Sequence, residues 1–518
     1  MLLAKVDQMR TIEEEAIAKQ GLTLNELMKR AGAEVAREAM EMLPQAGRVL
    51  IFCGKGNNGG DGFIAAHLLA QKNHLVEVIM LSAPDNFSGA ARQAFTKISD
   101  EASIKKTSFK SFNAKTCAQP DLVIDAVFGF GLKGKVRGVG AGAITTINAL
   151  GSPVLSVDIP SGVNSDTGQI DDNAVKATRT ITFTCPKAGM AIDPGVDFIG
   201  SVRVADIGID KKIVATHAKV CQGSRLIARP LLPKRRPATH KGECGRVLVI
   251  GGSVGMTGAV AMCSQAALKI GAGLVTLGIP ESLNHILEVK LTEVMTKPLP
   301  ETPERTLRAK ALDIILEMAP RADVVVVGPG MSTHASTATL VQQLVTSIEN
   351  PLIIDADGLN ALAPKPDLLS KRPGPTVLTP HPGELGHLLG VSPSMIQSDR
   401  LSWAEAASND WKVTVILKGA RTIIAGGDCL HVNPTGNPGM ATAGTGDILA
   451  GMLAGLVAQG LPPYPASVLA TYLHGLAGDI AVKYRTELAL VATDLLHYLP
   501  AAIKEIEAIG DKKGRLKK

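Results

Sequence analysis

Aromatic side chains are scarce in this chain: 3% of 518 residues, with two Trp and four Tyr. Stacking platforms of the kind that hold single-stranded nucleic acid are therefore few. A basic face is missing too. The net charge is +6, and its obvious clusters are Lys234, Arg235, Arg236 and the tail "KKGRLKK" from Lys512, which read as a joining segment and a solvated end. No stretch reaches the roughly 18 uninterrupted apolar residues of a spanning helix. The opening "MLLAKVDQMRTIEEEAIAKQG" has no apolar core of signal length. These absences predict no nucleic-acid partner, no membrane partner and a cytoplasmic location. The seven cysteines (53, 117, 185, 221, 244, 263, 429) include no C-x-x-C pair, and several lie in apolar runs such as "LIFCG". Reduced, buried thiols are expected. A Walker loop, G-x-x-x-x-G-K-[ST], is also absent, which excludes a P-loop enzyme.

Glycine, by contrast, is plentiful at 53 residues, often clustered just after apolar runs. That is how α/β proteins punctuate strand ends facing a ligand. "RVLIFCG", "HLVEVIML", "DLVIDAV", "PVLSVDI" and "TITFTC" read as buried parallel strands with helices such as "DGFIAAHLLAQK" between them. The rhythm breaks at "ARPLLPKRRPATHKGECG". It restarts with "GRVLVIGGS", "GLVTLGIP", "ADVVVVGPG", "PLIIDADG", "PTVLTPHPGE" and "VTVILKG", and "RTIIAGGDCLHVN" reads as a hairpin. The chain is too long for one core. Two α/β domains in series are expected, over 1–218 and 225–510, with a joining region at 219–242.

In the first half, "GKGNNGGDG" (54–62) follows a strand and opens a helix. Gly54, Gly56 and Gly59 satisfy G-x-G-x-x-G, a weak dinucleotide signal. The acid that should end the next strand is missing, because Glu77 lies inside it and the strand runs out in Leu81-Ser82-Ala83. Asn57, Asn58 and Asp61 crowd the loop instead. Asp125 ends one strand before "FGFGLKGK", and Asp158 ends another before "IPSGVN". Each alone reads as a turn or cap residue. In an open parallel sheet, however, the carboxyl ends share one crevice, so the three should converge. The oxygen donors Asn58, Asp125 and Ser161 suit a hard cation rather than zinc.

"GKGNNGGDG", "DAVFGFGLKGK" and "SVDIPSGVNSDTG", in that order, resemble the NAD(P)H-hydrate epimerase family over most of residues 1 to 215. The resemblance implies a Rossmann-like fold and interconversion of the R and S forms at C6 of hydrated NADH and NADPH (NADHX and NADPHX). It implies substrate contacts at Asn57, Asn58, Gly59, Gly60, Asp61, Gly129, Phe130, Gly131, Leu132, Lys133, Gly134, Lys135 and Asp158. It also implies potassium held by Asn58, Asp125 and Ser161, and Asp158 is the expected proton-handling group.

The second half centres on "NPTGNPGMATAGTGD". Gly444, Thr445 and Gly446 leave backbone N–H groups free at a helix start, where the macrodipole adds positive charge. Such a turn can neutralise a phosphoryl group in transit while Asp447 takes the proton of an attacking hydroxyl. Equally, Asp447 can be a cap stabilising the helix by about 1 kcal/mol. Lys418 ends a strand and can flank a nucleotide. His381 and Glu384 sit on another strand-end turn, with too few ligands for zinc. Asp355, Asp357 and Asn360 at a third suit magnesium or hydroxyl contacts.

"GGSVGMTGA", "VVVVGPGM", "DADGLN", "TPHPGE", "LKGART" and "GNPGMATAGTGD" together resemble the ADP-dependent NAD(P)H-hydrate dehydratase family, whose fold is ribokinase-like, over roughly residues 225 to 505. By position, the resemblance implies that Ala259, Gly330, His381 and Asp447 meet the hydrated nicotinamide. Lys418, Gly419, Ala420, Arg421, Thr422 and Gly446 would hold the adenine nucleotide. ADP would be consumed to AMP and phosphate with magnesium assisting, and Asp447 is the expected base. The expected whole is a bifunctional, homo-oligomeric repair enzyme with small-molecule substrates. Two other readings stay open at this point: a hydroxymethylpyrimidine or pyridoxal type of kinase on the same fold, and a first half that only binds.

Overall fold

Runs of Val, Ile and Leu with no polar alternation can be buried on both faces only in a parallel sheet covered by helices. The computed structural model, which describes residues 1–508 except Lys133 and Asp428, contains two such sheets. The expected contact at Lys133 and the tail from Lys512 lie outside the described residues. The chain divides into two compact units, Leu2–Val220 and Cys221–Lys518.

In the first unit the strands are β1 (Arg48–Cys53), β2 (Leu75–Met80), β3 (Ile104–Ser108), β4 (Leu122–Ala126), β5 (Val154–Val157), β6 (Arg179–Phe183) and β7 (Ser201–Ala205). Their order is β3-β2-β1-β4-β5-β6-β7, all parallel. The sequence reading misses β3 and β7. Both are edge strands, and their segments "IKKTS" and "SVRVA" carry Lys105, Lys106 and Arg203. Edge strands carry charge to discourage further pairing, which erases the apolar signal. Three helices frame the strand ends: α1 (Val6–Gln20), α2 (Leu24–Met42) and α3 (Asn57–Ala70). α2 starts at a capping box in which Thr23 Oγ1 accepts from the Glu26 N–H at 3.2 Å.

The second unit continues with β8 (Arg246–Ile250), β9 (Leu274–Pro280), β10 (Met295–Leu299), β11 (Val324–Val327), β12 (Leu352–Ile354), β13 (Thr376–Leu378), β14 (Thr414–Leu417), β15 (Ile423–Gly426) and β16 (Cys429–Val432). They run β16-β15-β14-β13-β12-β11-β8-β9-β10. β15 and β16 form the expected antiparallel hairpin, and β14 to β10 are parallel. The edge strand β10, "MTKPL", is another that sequence misses; its proline and lysine mask it. The helices that matter for the site are α4 (Thr257–Lys269), α5 (Pro382–Leu389), α6 (Thr445–Ala458) and α7 (Pro463–Ala481). Every residue of α6 from Ile448 to Ala458 is buried, the mark of a helix enclosed on all sides. Its glycines let α4 approach: a Cβ on Gly451 would lie 2.0 Å from the Cys263 carbonyl oxygen.

Among the described residues, no helix is long and apolar enough to cross a membrane. All seven cysteines are free thiols, with Cys53, Cys185, Cys244 and Cys263 buried.

Candidate active sites

The first unit's parallel strands deliver their loops to one cavity of about 590 Å³. Asn57, Asn58 and Asp61 reach it from the start of α3, Gly129 to Leu132 from the loop after β4, and Asp158 from the end of β5. The tight turn into α3 needs glycine, since a Cβ on Gly59 would sit 2.0 Å from the Gly54 carbonyl oxygen. Asp158 stands in the left-handed region at φ 69°, a strained geometry for a residue with a Cβ. Its Oδ2 accepts from the Phe130 N–H at 3.1 Å and its Oδ1 from Thr182 Oγ1 at 3.4 Å.

Lys187 completes this corner, and sequence reasoning overlooks it. Its side chain is fully buried, ion-paired to Asp158, donates to Thr182 Oγ1 at 3.0 Å and lies 5.5 Å from the centre of the Phe130 ring. Two further carboxyls share the cavity. Burial foremost, then the charges of Asp158 and Glu13, pushes Asp61 well above the usual carboxylate range. Glu13, half-buried on α1, is pushed up to about 7 by burial, against the pull of Lys187. Met9, Leu24, Leu27, Met28 and Phe183 supply an apolar wall.

Unlike Asn58 and Asp158, neither Ser161 nor Asp125 itself lines this cavity, and Asp125 is wholly buried. Its Oδ2 accepts from Ser156 Oγ and the Ser161 N–H, both at 2.9 Å, and its Oδ1 accepts from Ser161 Oγ at 2.6 Å. Burial pushes its carboxyl up, with these hydrogen bonds pulling it back. Ser161 Oγ also accepts from the Phe128 N–H at 2.9 Å. Asn58 is buried with its Nδ2 unpartnered. Not every expected contact reaches the cavity. Gly59 and Gly60 are buried and absent from its lining, Gly134 lines a separate small hollow, and Lys135 Nζ pairs with Asp172 at 2.8 Å.

In the second unit, Gly444 at φ 94° caps α6, so Asp447 lies in the helix's first turn. Lys418 Nζ, from the end of β14, lies 2.8 Å from Asp355 Oδ1, 3.6 Å from Glu384 Oε2, and 3.4 Å from where a Cβ on Gly446 would stand. Burial works against its charge, yet the Asp355 and Glu384 carboxylates hold the ammonium above its ordinary value. Asp447 is pushed up to about 7 by burial, then by the negative charge of Asp355, against the pull of Lys418. Asp357 and Glu384 add to the rise. Sequence reasoning also misses His474 on α7, whose Nε2–H donates to the Thr445 carbonyl at 2.9 Å. Burial lowers this imidazole to about 4, so it is neutral and props the helix start.

His381 caps α5: its Nδ1 accepts from the N–H groups of Gly383 at 3.0 Å and Glu384 at 3.1 Å. Nε2 stays outward, 3.5 Å from Glu384 Oε1. Ala259 and Gly330 adjoin each other, with 3.2 Å between the Ala259 Cβ and a Cβ placed on Gly330. The Lys418-to-Thr422 loop is held from below by Arg400, which donates to the carbonyls of Leu417 at 3.1 Å, Lys418 at 3.3 Å and Ala420. Arg421 donates to the Pro434 carbonyl at 2.8 Å, and Thr422 Oγ1 to Gly419 at 3.0 Å. Asp357 accepts from the Ser332 N–H at 2.8 Å.

Residues 24–189 match the family described as YjeF-related protein N-terminus, and residues 247–501 match the family described as NAD(P)H-hydrate dehydratase. The chain is 42% identical to the bifunctional NAD(P)H-hydrate repair enzyme Nnr of Moorella thermoacetica, across 98% of this chain and 97% of that protein. It is 34% identical to the enzyme of the same name from Escherichia coli K12, across 95% and 92%. A solved structure, the ADP/ATP-dependent NAD(P)H-hydrate dehydratase of Bacillus subtilis co-crystallized with ATP/Mg2+, is 30% identical, covers 55% of this chain and 99% of that chain, and has a TM-score of 0.47. Likeness at this level along nearly the whole chain makes this protein a member of the bifunctional NAD(P)H-hydrate repair enzyme family.

Proposed function

We infer that this chain restores damaged nicotinamide cofactors in two steps. The first unit interconverts the R and S forms of hydrated NADH and NADPH. The second removes the elements of water from the S form at the expense of ADP, which leaves as AMP and phosphate. The observation that carries this reading is the likeness to two-activity relatives over 98% of the chain, because it spans both units.

For the dehydratase step, Asp447 takes the proton of the C6 hydroxyl as that oxygen attacks the terminal phosphoryl of ADP. A carboxyl near 7 suits a general base at neutral pH. The free N–H groups at the start of α6 stabilise the phosphoryl in flight, and Lys418 holds the surrounding carboxylates in place. Phosphate then departs from C6 with the N1 lone pair pushing, and loss of a proton from C5 restores the ring double bond. Magnesium would be held by one or two of Asp355, Asp357 and Glu384, leaving Asp447 free as the base, and would neutralise charge on the nucleotide. An all-oxygen carboxylate set fits it. In the first unit the cavity binds the hydrated ring, with Asp158 exchanging the proton. Potassium would be held by Asn58, Asp125 and Ser161, whose oxygens fit a hard monovalent ion, and would supply positive charge beside the substrate.

Incubating the mixed R and S hydrates with ADP and magnesium, and following both epimers by chromatography, tests the reading. Both should vanish as NADH absorbance returns. Accumulation of a stable phosphorylated product would mark a kinase instead, and stalling at half conversion faster than spontaneous epimerisation allows would leave the first unit a binding module.

A further inference from the structure

Epimerisation at C6 must break a bond at that carbon and remake it on the other face. If the hydroxyl leaves, it needs a proton to depart as water, while the N1 lone pair closes a C6=N1 bond. Water then adds to the opposite face of C6 as a base removes its proton. One proton is given, one is taken, and no oxidant or reductant is required. A single carboxylate cannot serve both faces of a ring, so an acid and a base on separate side chains are needed.

The cavity of the first unit holds such a pair. Asp158, at the end of β5, is ion-paired to the buried Lys187, which balances its charge. Glu13 comes from a different layer of the unit, on α1, and lines the same cavity. α1 buries Met9, Ile12 and Ala16, so Glu13 lies at the border of its apolar stripe, turned toward the cavity and flanked by Met9 and Leu27 in the lining. The charged groups that act on it are Lys187 and Asp158 from the strand-end segments and Arg10 and Glu14 on its own helix. Lys55 and Asp61 line the same space.

We propose that Glu13 is the second catalytic residue of the epimerase site, giving a proton to the departing C6 hydroxyl while Asp158 takes one from the incoming water, with the roles exchanged in the reverse direction. The assignment rests on the epimerase reading of this unit. The environments differ in the way such a pair requires: Asp158 has a cation against it, whereas Glu13 is raised to about 7, so a large share of it carries a proton to give near neutral pH. The active form of the pair carries one proton, resting on Glu13. Its population falls once pH exceeds about 7, so kcat/KM should decline on the alkaline side in both directions.

The test uses the full chain, with epimerisation followed by chromatography from each pure hydrate. The expected result for Glu13→Gln is a drop in epimerase kcat of about 100-fold with KM within a few-fold, and loss of the alkaline decline. Glu13→Asp, which keeps an acid, should retain more rate than Glu13→Gln and keep that decline. Dehydratase turnover of the pure S hydrate should be unchanged in both. Glu13→Gln within twofold of the unaltered chain, an alkaline decline that survives it, or Glu13→Asp and Glu13→Gln equally depressed would each overturn the proposal. An unaltered chain that cannot interconvert the hydrates sinks the epimerase reading and this assignment with it. An active unaltered chain with an equally active Glu13→Gln sinks this assignment alone.

Discussion

The two units solve one electrostatic problem with different scaffolds. Each sets a lysine–aspartate pair at or just past parallel strand ends, Lys187 with Asp158, both buried, and the part-buried Lys418 with the buried Asp355. Each sets a second carboxyl beside that pair and pushes it to about 7, Glu13 in one and Asp447 in the other. They differ in what surrounds the titrating acid. Glu13 stands in mid-helix against an apolar wall of Met9, Leu27 and Met28, and the helix start that opens on its cavity, that of α3 at Asn57 and Asn58, belongs to a different element. Asp447 stands in the first turn of α6, where unpaired N–H groups and the helix dipole favour negative charge. Placing the acid itself on a helix start is what distinguishes the proposed phosphoryl-transfer site from the proposed proton-transfer site, where the acid and the helix start lie on separate elements.

The sharpest way to break the comparison is to silence one acid and watch the other unit. Asp447→Asn keeps shape and removes the proposed base. Dehydratase kcat should fall by about 10²–10⁴-fold while epimerisation of the R hydrate continues. Asp158→Asn should do the reverse: catalysed epimerisation is lost, and turnover of pure S hydrate with ADP persists. Either variant disabling both activities would contradict two separately built sites. The pH profile sharpens the point. As the proposed base Asp447 would have to be ionised to act, and its value is raised to about 7, so dehydratase kcat/KM should climb as pH rises through 7 and be lost in acid. A profile flat from pH 5 to 9 would remove Asp447 from the role of base.

Lys418→Met should have the next largest effect, in stability as well as rate. It leaves Asp355, only 1% exposed, without its cation, and breaking a buried pair costs about 3 kcal/mol or more. With that positive charge gone, Asp447 should also rise further, moving the ascending limb of the dehydratase profile to higher pH. Lys418→Arg should restore part of both. Thermal melting and the pH–rate curve of the two variants check this.

Much of both sites is legible before folding, for a physical reason. Asp125, Asp158, Asp355 and Lys418 each close an apolar strand just ahead of a turn, and parallel topology carries such positions to one edge. The strands β1, β4, β5, β8 and β11 are legible from the same apolar runs, whereas β3, β7 and β10 are hidden because edge strands carry charge or proline. Glu13 is harder to see. It is the first of three consecutive glutamates, and only the phase of Met9, Ile12 and Ala16 shows which one borders the buried stripe. Lys187 leaves a clearer trace, as the single charge within "TITFTCPKAGMAI". A lysine there has to be exposed or paired, but its partner cannot be read from spacing alone. His474 lies in the apolar run of α7 and nothing local marks its bond to the Thr445 carbonyl.

The smallest expected effect concerns the loop after β4, where neighbouring residues part ways. Phe130, Gly131 and Leu132 line the cavity, but Lys135 turns out to an exposed pair with Asp172 at 2.8 Å. Exposed pairs between flexible side chains contribute little. If Lys135 stays on Asp172 when the hydrate binds, Lys135→Ala should shift epimerase KM by no more than about twofold, and less at high salt, where such pairs are screened. If the loop instead carries Lys135 onto the substrate's phosphates, KM should rise about tenfold or more and the loss should shrink as salt increases, because a charged contact to phosphate is worth more than a solvated pair. Measuring KM for Lys135→Ala and for Asp172→Asn at two ionic strengths separates the cases: in the first both variants are silent, and in the second Asp172→Asn lowers KM by freeing the lysine.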